Sequence, residues 1–458
     1  MLLDEINRQI MTLSKAENLR KRRKKKTKTR QDFYENPYQF AKNLFTGARS
    51  GTLDVPQEEL QSHLHKTYSD PLKETPLGEI EGLPVLDEPT TPFNTGGVRS
   101  REVADFVRKA RAASAPGING LSYKLYKNCP QVLSILTGLL QRAWREGFVP
   151  EEWCWADGVW IPKEQNSVGI GSFRPISLLN VEGKIFFGVF AKRLTTFLLA
   201  NGYIDTSVQK AGIPGFPGCL EHSQMIWNSL MTAKRLKQEL HVIWLDLANA
   251  YGSVPHLLIK LALTKFHVPD KLSDMLMQYF RGVFMRFKTG SYVTDWQALE
   301  TGIMMGCVIS PLLFVMCMEI MLRAAAGTAE GEVSQSGRVL PPSKAFMDDI
   351  TALIPSQVST QDLMDRFHEL FTWARMKAKP KKSRSASIVR GKVQDIHFTI
   401  GGDQIPTIKE KPVKSLGRLY AVPLNDRHRG SEIEKTAVEG LKSIDSTGLP
   451  GKLKAWCF

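Results

Sequence analysis

The chain has 458 residues, room for about three compact units at ~150 residues each, and 42% hydrophobic with 23% charged residues is the composition of a folded protein with sizeable cores. Its 61 Lys and Arg against 46 Asp and Glu leave a net +15, which points to a polyanionic partner, nucleic acid or an anionic membrane surface. Six scattered cysteines exclude a secreted disulfide scaffold.

A membrane-spanning segment is excluded as well. The longest apolar run, Leu312–Met318, ends at Glu319 and Arg323, well short of the ~20 residues a spanning helix needs. The first ten residues, MLLDEINRQI, carry acids where a signal peptide is positive, and no apolar core follows. Cys219 with His222 is half a zinc site without a second half. The expectation is a reduced, soluble, intracellular protein, nuclear or cytoplasmic, with no membrane partner.

The first thirty residues hold eleven cations and three acids, a net +8. The tract RKRRKKKTKTR (residues 20–30) has no apolar surface to bury and reads as a tail that is disordered, or helical only on a partner, open to nuclear entry or phosphate contact. QDFYENPYQFAKNLF then reads as a short amphipathic helix, and residues 69–95, rich in Pro, Glu and Thr, as a linker. Helical spacing begins at Val103, Phe106 and Val107 and resumes at Leu133, Leu136 and Leu140. GVWIPK is strand-like, and VEGKIFFGVFAKRLTTFLL is helical. A second basic run, Arg375 to Lys392, follows the amphipathic segment DLMDRFHELFTWARM and can line a groove for a nucleic-acid backbone. Strand, helix, strand, then hairpin and helix make a mixed α+β domain.

Four segments carry chemistry. In HVIWLDLANAYGSVPH an apolar strand delivers Asp246 at its end, the chain turns at 249–252, and a helix is expected near Ser253 as N-cap with Pro255 in its first turn. A carboxylate at a strand end suits a metal ligand or a base, or simply a capping Asp. In KAFMDDITALI the adjacent Asp348 and Asp349 interrupt an apolar stretch. Burying both is costly, so a hairpin tip that exposes them is expected, and two carboxylates aimed at one point attract a hard divalent cation. In TGIMMGCVISPLLF, Gly302 and Gly306 permit close approach of a ligand, and Ser310-Pro311 opens a helix. In VWIPK…GSFRPISLLN, Lys163 and Arg174 flank a turn and suit a polyphosphate, although for the segment alone ordinary surface charge is the better reading.

In this order the segments resemble the fingers and palm of reverse transcriptases, most closely those of non-LTR (LINE-type) retrotransposons, over about residues 114–419. APGINGLSYKLYK resembles the entry motif, IPK…FRPISLLN the fingers motifs, and QKAGIPGFPGCLEH the template-proximal loop. LDLANAYGSVPH, GIMMGCVISPLLF and FMDD resemble palm motifs A, B and C. MKAKPKKSRS resembles motif D, and KPVKSLGRLY the primer-gripping hairpin after it.

The resemblance implies a right-hand polymerase fold of the α+β class, with an antiparallel sheet backed by helices and a thumb that is truncated or incomplete. It divides the chain into a tail (1–30), an N-terminal extension and linker (31–95), fingers with part of the palm (96–240), palm (241–425) and the start of a thumb (426–458). It implies two-metal-ion nucleotidyl transfer to a primer 3′-OH. Asp246, Asp348 and Asp349, with the Leu247 carbonyl, would hold Mg2+ or, in its place, Mn2+. Lys163 and Arg174 would clamp the triphosphate, Lys382 would protonate pyrophosphate, and Gly306 would lie against the nucleotide. Tyr251 would exclude a 2′-hydroxyl, favouring dNTPs over NTPs. RNA template, DNA primer and dNTPs are the implied partners, and an endonuclease, absent from this chain, would come from elsewhere.

Four positions depart from the family pattern. Met305 stands where Gln is usual, Asn119 and Gly252 where Asp is usual or common, and Lys379 where Asn is usual. Met305 and the short thumb favour an alternative reading, a catalytically impaired remnant that only binds nucleic acid. A polymerase making RNA is a third, against which Tyr251 speaks.

Overall fold

The computed structural model describes residues 2–45, 50–213, 218–334, 337–425 and 427–457. Positions 214–217 of the QKAGIPGFPGCLEH loop lie outside them. The chain divides into two compact units. The smaller takes in residues 1–52, 162–168 and 425–458, and the larger 53–161 and 169–424. No helix among the described residues is long and apolar enough to cross a membrane, and none of the six cysteines is in a disulfide.

In the smaller unit, residues 20–30, expected to be disordered or helical only on a partner, are part of a helix spanning Leu2–Glu35. Lys and Arg are good helix formers, and the helix leaves their charges in water. The helix expected over 31–45 is divided at Asn36, because Pro37 disfavours helical backbone before it. The Asn36 side chain accepts the Gln39 N–H at 3.1 Å and starts the next helix, Pro37–Phe45. Phe33 packs there with Ile444, Leu449 and Cys457.

The larger unit is built on two sheets. The first has the order β2-β1-β4-β5, from β1 (Trp155–Pro162), β2 (Phe173–Leu178), β4 (Phe284–Phe287) and β5 (Gln297–Ala298). Between them in sequence comes β3 (Leu240–Leu245), the centre of the second sheet. That sheet adds β6 (Ser343–Phe346), β7 (Asp349–Ile354), β8 (Arg384–Val389) and β9 (Lys392–Gln394) in the antiparallel order β6-β7-β3-β8-β9. Two hairpins follow, β10 (Phe398–Ile400) with β11 (Asp403–Ile405) and β12 (Val413–Ser415) with β13 (Arg418–Tyr420). The larger unit is thus α+β.

All six residues of β3 are buried. Leu240, Val242 and Trp244 pack with Ile226 and Leu230 of helix Cys219–Leu236 and with Tyr420. Ile243 and Leu245 face the main core, which includes helices Ser310–Ala326 and Gln357–Trp373. Covering on both faces explains why β3 reads as a continuous apolar run rather than an alternation. Each such side chain contributes ~2 kcal/mol on burial, so a slip of register is costly and the strand end is fixed.

The segment expected as a linker lies on this unit as a strap. Arg375 donates to the carbonyls of Leu72 and Pro76, Trp373 Nε1 to that of Gly78 (3.0 Å), and Arg366 to that of Glu81. Elsewhere Arg193 of helix Val181–Ala200 forms a bidentate pair with Glu102 (2.9 and 2.6 Å) and also donates to Asn94 and Gly97 carbonyls. Burial acts to raise the Glu102 carboxyl, but the Arg193 guanidinium and the Arg99 N–H outweigh it and hold it at about 2. Arg193→Met should therefore lower stability by about 3 kcal/mol, since it strips the half-buried Glu102 carboxylate of its bidentate partner and leaves it only Arg99. In urea titrations the parent's advantage should be complete above about pH 4.5 and fade as the pH falls towards 2.

Candidate active site

Sheet register brings the acidic residues together. Leu245 pairs with Ile350 on β7, so the next step along both strands sets Asp246 opposite Asp349. Phe346 pairs with Asp349, which leaves Met347 and Asp348 as a two-residue hairpin turn. The expectation of an exposed hairpin tip holds, since Asp348 and Asp349 are both open to solvent.

Their proton affinities show the crowding. Protein packed around Asp349 raises its carboxyl to about 6, with Asp348 and Asp246 adding to the rise. Asp348 is also raised, by partial withdrawal from water and by Asp246, while Arg174 on β2 and Lys379 pull the other way. Asp246 Oδ2 is buried without a hydrogen-bond partner, and the Lys379 ammonium stands 3.9 Å from it. An orphaned carboxylate oxygen beside two more carboxylates is a hard-oxygen donor set that fits a divalent cation. Among the described residues no three or more His, Cys, Asp or Glu side chains form a group that could hold a metal ion by themselves. Mg2+ does not require one, because waters and substrate phosphates complete its shell.

The segment after helix Gln357–Trp373 supports Asp246 through the backbone. Lys379 N–H donates to the Asp246 carbonyl and Ala248 N–H to the Lys377 carbonyl, both at 2.7 Å. Ser383 Oγ accepts the Asp246 N–H at 3.1 Å. Leu247 faces Ala378 as the non-hydrogen-bonded pair between those bonds, so its carbonyl points away from residues 377–379. Lys382 is exposed, and its N–H donates to the Lys379 carbonyl. The cation nearest Asp246 is thus Lys379, which the sequence marked only as a departure from Asn.

The 249–252 turn and the 301–307 loop are locked together. Asn249 adopts φ 46. Gly302 N–H donates to Val254 and Ile303 N–H to Tyr251, both at 2.8 Å. A Cβ on Gly302 would sit 2.8 Å from the Gly252 backbone, and one on Gly252 would meet the Asn249 side chain at 2.3 Å. The backbone contact accounts for glycine at 302. The next helix starts at His256 with Pro255, not Ser253, at its N-cap. Val254 precedes a proline and is extended, and the Ser253 hydroxyl turns back to the Ala248 and Ala250 carbonyls.

Tyr251 stacks on Phe314 of helix Ser310–Ala326, with ring centroids 5.0 Å apart and planes 11° apart. Burial and the nearby Asp348 push its hydroxyl pKa up. Gly306 (φ 128) lies close against β2, for a Cβ there would lie 2.3 Å from the Ser177 carbonyl. Met305 accepts the Ser177 N–H at 2.7 Å through its backbone, a bond that any residue can make. Lys163 falls in segment 162–168, which groups with the smaller unit. Asn119 donates to Glu182 at 3.1 Å, and Tyr126 shares that carboxylate. An Asp at 119 could not donate, which accounts for Asn there.

The raised Asp349 carboxyl has a stability cost. Against its ordinary value of 3.8, the metal-free chain loses stability as pH rises from about 4 to 6 and stays lower above that. Asp349→Asn should raise the Tm at pH 7.5 in chelator, and the gain should vanish below pH 4 and shrink when a divalent cation is added.

Residues 161–418 match the family described as reverse transcriptase (RNA-dependent DNA polymerase). The chain is 26% identical over 231 residues to the retrovirus-related Pol polyprotein from type-1 retrotransposable element R2 of Bradysia coprophila, covering 50% of this chain and 25% of that protein. The protein of the same name from Nasonia vitripennis is 24% identical over 315 residues, 67% of this chain and 30% of its own length. The probable RNA-directed DNA polymerase from transposon X-element of Drosophila melanogaster is 24% identical over 298 residues, 63% and 31% of the two chains. The chain therefore spans less than a third of each of these relatives. With a match that runs through both sheets and all three aspartates and covers more than half of its length, the chain belongs to the reverse transcriptase (RNA-dependent DNA polymerase) family, as a domain of the non-LTR retrotransposon kind.

Proposed function

We propose that this chain is an RNA-directed DNA polymerase of a retrotransposon that extends a DNA primer on an RNA template with dNTPs. The observation that carries the reading is the meeting of Asp246 with Asp348 and Asp349 at one end of the β3–β7 pair. In this reading the five-stranded sheet is the palm, and β2 with its neighbours belongs to the fingers.

Asp246 and Asp348 would hold two Mg2+ ions, or Mn2+ in their place, with the Leu247 carbonyl as a further ligand and Asp349 in support. Bound Mg2+ supplies the Lewis acidity that lowers the pKa of a primer 3′-hydroxyl and neutralises a departing pyrophosphate. Arg174, close enough to Asp348 to lower its proton affinity, offsets triphosphate charge. The exposed Lys382 ammonium donates a proton to pyrophosphate. Lys379, 3.9 Å from Asp246, would offset part of the charge of that carboxylate. Tyr251, backed by Phe314, fills the space a 2′-hydroxyl would need.

Primer extension on poly(rA)/oligo(dT) with Mg2+ tests the reading. The parent should incorporate dTTP, and Asp348→Ala should reduce the rate by more than the ~100-fold typical of losing an outer-shell metal partner. A parent that binds the duplex without extending it would leave nucleic-acid binding alone, which Met305 favours. Tyr251→Ala should lower discrimination against ribonucleotides by ~10- to 200-fold, the range for steric fit to one small group. Selectivity equal to the parent's would remove Tyr251 from that role.

A further inference from the structure

The turn that presents Asp348 and Asp349 has the wrong residues for its shape. Its two loop positions are Met347 and Asp348, and Met347 stands at φ 58. Two-residue hairpin loops normally use Asn-Gly, Asp-Gly or a leading Gly, because a Cβ disfavours such backbone angles. Met-Asp supplies no glycine, so an interaction from outside the hairpin has to hold it.

Gln209 supplies that interaction. It is wholly buried, at 0% exposure. Its Oε1 accepts the Met347 N–H at 3.0 Å and the Ala211 N–H at 3.3 Å, and its Nε2 donates to the Met347 carbonyl at 3.3 Å. One amide thus satisfies both polar groups of the single left-handed residue in the turn. The backbone on either side fixes the reach of this arm. Ala345 N–H of β6 donates to the Val208 carbonyl at 2.9 Å, and Gln209 bridges Ala345 in parallel. Three residues on, a Cβ at Gly212 would stand 3.1 Å from Met347 Sδ and 2.9 Å from Val315 Cγ2, so the arm lies flush against the turn.

Among side chains of this length only an uncharged amide both donates and accepts. Glutamate would lose the donor and add a fourth carboxylate to the group, and methionine would leave both polar groups of Met347 unpaired.

We propose that Gln209 is the positioning residue of the acidic turn. It pins the Met347 peptide groups so that Asp348 and Asp349 are presented beside Asp246 before any metal or substrate arrives. The inference rests on the reading of these aspartates as metal ligands.

The test uses the full chain and two readouts, Mn2+ binding followed by the electron paramagnetic resonance of the free ion, and primer extension. Gln209→Met should weaken Mn2+ binding about 10- to 100-fold, the range for outer-shell partners of a metal site, and lower kcat while KM for primer–template stays put. Met347→Gly in the Gln209→Met background should recover part of the Mn2+ affinity, since glycine takes a positive φ freely. In the parental background the same change should bring no gain. If Gln209→Met does not fold, Gln209→Asn, which keeps the amide but falls one methylene short, is read in the same way. Unchanged Mn2+ affinity, or a loss that Met347→Gly fails to relieve, overturns the proposal. If the parent binds Mn2+ and Asp348→Ala abolishes that binding while Gln209 variants bind normally, only this inference falls. A parent that binds no Mn2+ sinks the site reading as well.

Discussion

The antiparallel pairing of β3 with β7 fixes everything else in the candidate site. Strand pairing places residues to within a fraction of an ångström and flips every side chain if it slips by one. Here the register is locked by a strand buried on both faces, and it delivers Asp246 and Asp349 to facing positions. The same apolar packing that makes the placement rigid also thins the water around the carboxylates, so the group carries unrelieved repulsion. A sheet that would be more stable with neutral residues at its end keeps three acids there, which is the signature of a site that expects positive charge to arrive.

The surrounding contacts limit how far that repulsion can move the chain. Residues 377–383 hold the backbone on both sides of Leu247. Glycines at 252 and 302 let two loops touch through their backbones, and Gly306 does the same against β2. Tyr251 is fixed from below by Phe314. Each tie is short-range and steric or hydrogen-bonded, so the geometry does not depend on ionic strength as a surface ion pair would.

What the sequence revealed depended on the kind of signal involved. The apolar run of β3, the hairpin at 347–348 and the helix opened by Ser310-Pro311 were legible because periodicity and turn chemistry are local. The acidic group was legible because adjacent aspartates in an apolar segment need a reason. Lys379 next to Asp246 and Asn119 bonded to Glu182 were not, since both partners lie more than sixty residues away in the chain. The helix start was misplaced at Ser253 because a good capping residue there is outweighed by the extended backbone Pro255 imposes on Val254. The basic helix was not expected in the chain alone because the tract has no apolar surface to bury, and the helix propensity of Lys and Arg was not weighed.

The strap over residues 70–83 read as a linker for a reason that now has a physical form. Arg366, Trp373 and Arg375 hold it by its carbonyl oxygens, and every amino acid has a carbonyl oxygen. The clasp therefore recognises a path and not a spelling. Lys73 on Glu300 (2.7 Å) and Leu77, Ile80 and Leu83 against the core add side-chain holds, but the carbonyl bonds themselves survive substitution along the strap, whereas each of the three donors is irreplaceable by most other residues. The carbonyl half of the contact leaves no mark on composition, so the strap looks, in sequence, like a segment that does nothing.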